Sequence, residues 1–148
     1  MGLPSAIEIA NLLYRYAEYI DTGDLEGAAR LFEHAELETR HGVLDAEGIL
    51  QLWRDVIVIY PDGTPKTKHV ITNPIIEVDE EAGTATSRCY YTVMQATDDF
   101  ALQPVISGRY YDWFVRVDDA WRWAHRNYTL HDHPGDLSAH LRSNAAER

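Results

Sequence analysis

The second half of the chain constrains the fold most. Four stretches rich in Val, Ile, Thr, Tyr and Trp follow one another: Thr67–Asp79, Thr84–Ala96, Pro104–Val117 and Trp121–Leu130. β-branched and aromatic side chains suit a pleated, half-buried surface, so each stretch reads as a strand. The breaks between them are short and polar: Glu80-Glu81-Ala82-Gly83, Asp98-Asp99 and Asp118-Asp119. Parallel pairing needs a crossover of a dozen or more residues, and none of these gaps has the room. The stretches therefore predict an antiparallel meander. Long strands twist, so the sheet curls and one face becomes concave.

The first half supplies the cover. Ser5 and Glu8, three apart after Pro4, read as a capping box opening a helix. Ile9, Leu12, Leu13, Tyr16 and Ile20 then keep helical period until Gly23 ends it. Asp24 reads as the cap of a short second helix with Leu25, Ala28, Ala29 and Leu31-Phe32 on its buried side. Residues 35–43 read as a short strand, and Asp45 caps a third helix running from Ala46 to about Tyr60, although residues 56–60 (VIVIY) would equally suit a strand. Residues 61–65 (PDGTP) are a turn. Helices first and a meander second make an α+β domain, the helices packed on one sheet face and a cavity between them. The whole chain, 1–148, fits one domain, with 132–148 as a polar C-terminal tail containing one helical turn near Asp136–Leu141 and a loose end at Asn144–Arg148.

Charge narrows the partners. A net charge of −11 excludes a nucleic-acid or anionic-membrane surface, since both reward clustered Lys and Arg. No apolar run is long enough to span a bilayer. The N-terminus lacks a basic and then apolar leader, and Cys89 is the single cysteine, which together suggest a reducing, cytoplasmic setting.

The tyrosine-rich end of the first helix, residues 14–24 (YRYAEYIDTGD), closes on Asp21 at the edge of an apolar stripe. Asp21 either punctuates a helix–turn–helix together with Asp24, or sits in a pocket and orients a base. His69 is the candidate base. Period two places His69, Ile71 and Asn73 on one face of their strand, and Lys68, Val70 and Thr72 on the other. A histidine there is a satisfied core residue unless a carboxylate fixes its tautomer and leaves the other ring nitrogen free. Arg126 shares a face with Ala124 and Tyr128, opposite Trp121, Trp123 and His125. It is a surface residue of a sheet edge or, pointing inward, a fixed cation for developing negative charge. His131-Asp132-His133 lacks a third ligand, so no metal site is expected.

These residues carry a resemblance. The segments 14–32 (YRYAEYIDTGDLEGAARLF), 67–79 (TKHVITNPIIEVD), 107–127 (SGRYYDWFVRVDDAWRWAHRN) and 135–141 (GDLSAHL) resemble the SnoaL-like branch of the NTF2-like superfamily over nearly the whole chain. The resemblance implies a cone-shaped α+β barrel around an apolar pocket, assembled as dimers or trimers. Scytalone dehydratase, the bile-acid 7α-dehydratases and hexachlorocyclohexane dehydrochlorinase, which eliminate without a cofactor through an Asp–His dyad, look similar. On that likeness Asp21 and His69 match the dyad, Tyr16 matches the tyrosine of the bile-acid enzymes, and Arg126 matches the arginine of the dehydrochlorinase. The arginine of the bile-acid enzymes would fall near Leu130 and is missing.

The resulting expectation is a lyase or isomerase with no cofactor. It would act on a small, apolar, cyclic molecule through His69, Asp21, Tyr16 and Arg126, with Tyr19, Asn73, Trp53 and Tyr128 as substrate contacts. The alternative is a ligand-binding or assembly module without chemistry, resembling the small subunit of ring-hydroxylating dioxygenases.

Overall fold

The computed structural model describes residues 2–142. Its elements run α1 (Ser5–Asp21), α2 (Leu25–Arg30), β1 (Glu36–Thr39), β2 (Gly42–Leu44), α3 (Ala46–Val56), β3 (Thr67–Asp79), β4 (Thr84–Thr97), β5 (Phe100–Val117), β6 (Ala120–Asn127) and β7 (His133–Pro134). The strands form one sheet in the order β2-β1-β6-β5-β4-β3, with β7 added to β5. β3 to β6 are the antiparallel meander; β1 joins it by a parallel pairing to β6. The sheet is curved but not closed, since β2 and β3 remain its two ends. The class is α+β, as the sequence pattern implies. None of the helices among the described residues is long and apolar enough to cross a membrane.

Local chemistry explains most boundaries. Asp24 and Asp45 cap α2 and α3, each accepting a backbone N–H three residues on at 2.8 Å. The first helix differs from expectation. Pro4 is its N-cap and no side chain caps it, so the Ser5–Glu8 capping box does not form. α3 ends at Val56 instead of near Tyr60, because Ile57 turns extended and bridges Leu141. Residues 35–43 yield not one strand but the first arm and turn of the β1–β2 hairpin. Gly23 has φ +82, and a Cβ there would stand 1.9 Å from the Gly63 carbonyl, so the α1–α2 turn needs glycine to lie against the 61–65 loop.

Of the sheet's register shifts, two bear on the candidate residues. On β3 the register slips between Thr72 and Ile75, so Asn73 (φ +54) is exposed and does not share the inward face of His69 and Ile71. On β6 the register slips at Ala124: His125 pairs Trp113, but Trp123 pairs Phe114. One extra residue brings Arg126 to the face of Trp121 and Trp123, all three buried, and corrects the strict alternation that set it opposite them.

Residues 132–142 are part of the fold rather than a tail. β7 pairs β5, Leu137 and Leu141 pack on the core, and His140 is 6% exposed. The loose end at Asn144–Arg148 lies outside the described residues. The space between helices and concave sheet is filled by Tyr16, Phe32, Trp53, Tyr110, Trp123 and Arg126, all buried, so the cavity expected there is a packed aromatic core.

Candidate functional site

α1 crosses the free edge of β3 and delivers Asp21 to it. As the last residue of α1, Asp21 sits at the negative end of the helix dipole, with no basic residue in that turn, which disfavours a carboxylate. Three donors offset this. Asp21 Oδ1 accepts from His69 Nδ1 at 2.6 Å and from the Thr67 hydroxyl at 2.8 Å, and Oδ2 accepts from the His69 backbone N–H at 2.6 Å. The backbone bond also occupies an edge N–H that no strand pairs. Both side chains are nearly buried, His69 at 6% and Asp21 at 9% exposure.

The carboxylate fixes the ring. Because a carboxylate only accepts, the proton between the two groups sits on Nδ1, and it is Nε2 that bears the lone pair whenever the ring is neutral. Nε2 makes no hydrogen bond among the described residues. A cleft of about 280 Å³ reaches the pair, lined by Tyr14, Ala17, Glu18, Thr22, Lys68 and Ile71. The opening therefore lies between α1 and the sheet edge.

Behind the ring stands an aromatic cluster. Tyr16 meets His69 edge to face at 6.1 Å, and its hydroxyl pairs with that of Tyr128 at 2.6 Å. Burial raises the Tyr16 phenol well above its ordinary pKa, so it remains an O–H. Trp53 packs at 6.1 Å from Tyr16. Tyr110 stacks between Tyr91 at 4.3 Å and Tyr128 at 5.9 Å, and Tyr91 hydrogen-bonds His131 Nδ1 at 2.7 Å.

Arg126 lies inside the same cluster, its guanidinium 3.8 Å above the Tyr110 ring and 4.5 Å from that of Tyr16. It is not a free cation. Nε and Nη2 donate to Asp112 at 2.7 and 3.1 Å, and both side chains are fully buried. Burial opposes the charge, but Asp112 more than offsets that and keeps the guanidinium protonated. Its charge is already neutralised within the protein.

Asp21, His69, Tyr16, Trp53 and Tyr128 thus converge, and Arg126 backs them. Tyr19 and Asn73 do not join. The Tyr19 ring lies where a side chain on Gly27 of α2 would strike it, and Asn73 is exposed on its bulge. Sequence reasoning missed Asp112, which bulge-shifted pairing brings opposite Arg126, and His140, whose burial follows from the helical spacing of Leu137 and Leu141 around it.

A family model described as a SnoaL-like domain matches residues 3–127. Among solved structures, a function-unknown protein of Mycobacterium tuberculosis is 29% identical, with TM-score 0.66, over 85% of this chain and 70% of its own. A putative aromatic ring hydroxylase of Novosphingobium aromaticivorans is 21% identical, with TM-score 0.68, covering 93% and 99% of the two chains. A putative scytalone dehydratase of the same organism is 19% identical, with TM-score 0.63, covering 90% and 93%. No curated protein matches.

Proposed function

We propose, from the premise that this chain belongs to the SnoaL-like domain family, that it is a lyase or isomerase needing no cofactor and acting by proton transfer at His69 on a small, largely apolar, cyclic carbon acid. One observation carries the reading: the 2.6 Å bond from His69 Nδ1 to Asp21, which leaves Nε2 without a hydrogen-bond partner among the described residues, in a pair that a cleft reaches. Nε2 takes a proton from carbon, and the imidazolium that forms faces the carboxylate that stabilises it. In an isomerisation the proton returns to another carbon. In an elimination the C–H electron pair becomes the new C=C bond as the leaving group departs with its electrons. The Tyr16 O–H, held by Tyr128, is a hydrogen-bond donor for a substrate oxygen. Arg126, engaged by Asp112, sets the position of Tyr16 from behind and does not meet substrate.

The test is deuterium uptake from D2O into a panel of cyclic ketones and β-hydroxy ketones, followed by NMR with the full chain and with His69→Gln. The expected loss in the variant is about 10²–10⁴-fold, the usual worth of a positioned base. A folded His69→Gln protein that exchanges at the parental rate would sink the assignment, as would a parent inert toward every carbon acid tried.

A second reading, an assembly module without chemistry, draws on the filled interior and on the outer face of the sheet, where Val70, Ile75, Tyr90 and Trp113 are exposed. Light scattering of the purified chain separates monomer from the dimer or trimer that such a face favours.

A further inference from the structure

The C-terminal segment brings a second imidazole to the dyad. Val58 N–H donates to the His140 carbonyl at 2.9 Å, His140 N–H donates to Leu137 at 3.0 Å, and Leu141 bridges Ile57. The Ala139 carbonyl accepts from the Tyr60 hydroxyl and, at 3.0 Å, from Gln95 Nε2. Gln95 is the register partner of Thr67, and Thr67 donates to Asp21. Asp21, Thr67, Gln95 and Ala139 are thus successive neighbours, with His140 next in the chain.

Two polar atoms in this group lack partners among the described residues: His140 Nδ1 and Gln95 Oε1. Both residues are buried, at 6% and 1% exposure. Flipping the amide does not help, because Gln95 Nε2 already serves two carbonyls, Pro65 and Ala139, each at 3.0 Å. A buried polar atom left unpaired forfeits its hydration with nothing in return, so native proteins keep few of them. Here two occur on neighbouring residues beside a candidate base. Burial lowers the His140 pKa to about 4, with the nearby His69 acting in the same direction, so the ring is neutral and has one donor and one acceptor.

We propose that His140 and Gln95 are the polar wall of the Asp21–His69 site and bind a hydroxyl or carbonyl oxygen of the ligand. The inference rests on the proton-transfer reading for its location and narrows its substrate class to oxygen-bearing rings, excluding pure hydrocarbons and halocarbons. A hydroxyl donates to Gln95 Oε1 and accepts from the His140 ring; a carbonyl accepts from His140 alone. As a neutral imidazole, His140 positions the oxygen while His69 moves the proton.

The probes are phenol and toluene, which share a shape and differ by the oxygen. Their affinities for the full chain are measured by saturation-transfer NMR titration. Phenol is expected to bind at least about tenfold more tightly, the worth of a hydrogen bond to a buried group. His140→Phe and Gln95→Leu should each bring that ratio near one, whereas His140→Gln should retain most of it. Near-UV circular dichroism identifies any variant that fails to fold, and the other then decides. Equal affinities in the parent, no binding of either probe, or a ratio that survives both apolar substitutions overturns the inference. A His140-dependent ratio in a protein that exchanges no carbon acid supports the polar wall while the proton-transfer reading fails. Exchange without such a ratio overturns the wall alone.

Discussion

The molecule holds two buried carboxylate–base pairs of nearly equal length and opposite character. Asp112 and Arg126 meet at 2.7 Å in the centre of the core, with both side chains at 0% exposure and four aromatic rings within 5.4 Å of the guanidinium. Asp21 and His69 meet at 2.6 Å at the sheet edge, 9% and 6% exposed, with a cleft alongside. The first pair is permanent: arginine does not deprotonate in a protein, and its partner is committed at both oxygens. The second joins a carboxylate to a ring that gains and loses a proton reversibly. Similar distances therefore describe a structural tie in one place and, on the proposed function, a proton-handling site in the other. What separates them is the identity of the base and the few ångströms between core centre and sheet edge.

The comparison breaks most sharply at Asp112. Asp112→Leu leaves Arg126 charged and unpaired in the core, and is expected to lower stability by about 3–5 kcal/mol in urea titration. Adding Arg126→Met should recover much of that, since an apolar pair of similar volume avoids the desolvation penalty. His69→Gln, which keeps an amide donor for Asp21, should by contrast lose activity without unfolding. If Asp112→Leu unfolds no more easily than the parent, the core pair is not the tie described.

Next in size is a pH effect. The His140 pKa falls from the usual 6.5 to about 4 on folding, so between those values the unfolded chain binds more protons than the native one. Stability is therefore complete above about pH 6.5 and declines as pH falls through 4, by up to roughly 3 kcal/mol. Urea midpoints measured from pH 7.5 to 4 should show this slope, and His140→Gln should flatten it; an unchanged slope would remove His140 as its source.

The smallest effect distinguishes the two carboxylates of one turn. Asp24 caps α2 through Gly27 N–H, so Asp24→Ala should cost about 1 kcal/mol of stability and leave deuterium exchange unaltered. Asp21, three residues earlier, instead holds the His69 ring. A parallel loss of exchange in Asp24→Ala would erase the distinction between cap and site.

Much of the site was legible residue by residue. The dyad members stood out because a carboxylate ending an apolar stripe and a histidine on an inward strand face each need a partner. The place of Tyr16 on the apolar stripe followed from helical spacing, and its candidacy as a site residue from the family resemblance. The failures have physical causes. Asn73 and Arg126 were placed by strict alternation, and a single bulged residue reverses the phase of everything beyond it. Tyr19 shares the tyrosine-rich run, yet 3.6 residues per turn point it toward α2 rather than His69. The capping box failed because Pro4 already stands at the cap, which moves Ser5 into the first turn. His140 was passed over because its segment is polar overall, although Leu137 and Leu141 on either side mark a buried turn.

The sequence alone determined the fold class, because the period-two strands, the gaps too short for crossovers and the amphipathic helices are local properties read within a few residues. It also supplied the carboxylate and the imidazole, as residue types at named positions. Whether Asp21 and His69 meet, whether Arg126 is free or tied to Asp112, and whether the interior is a pocket or a packed core depend on contacts between residues far apart in the chain. Those were decided by strand register and by α1 crossing the β3 edge; of the two bulges that moved candidate residues, the one on β3 is marked by Asn73-Pro74 and the one at Ala124 has no such residue to mark it.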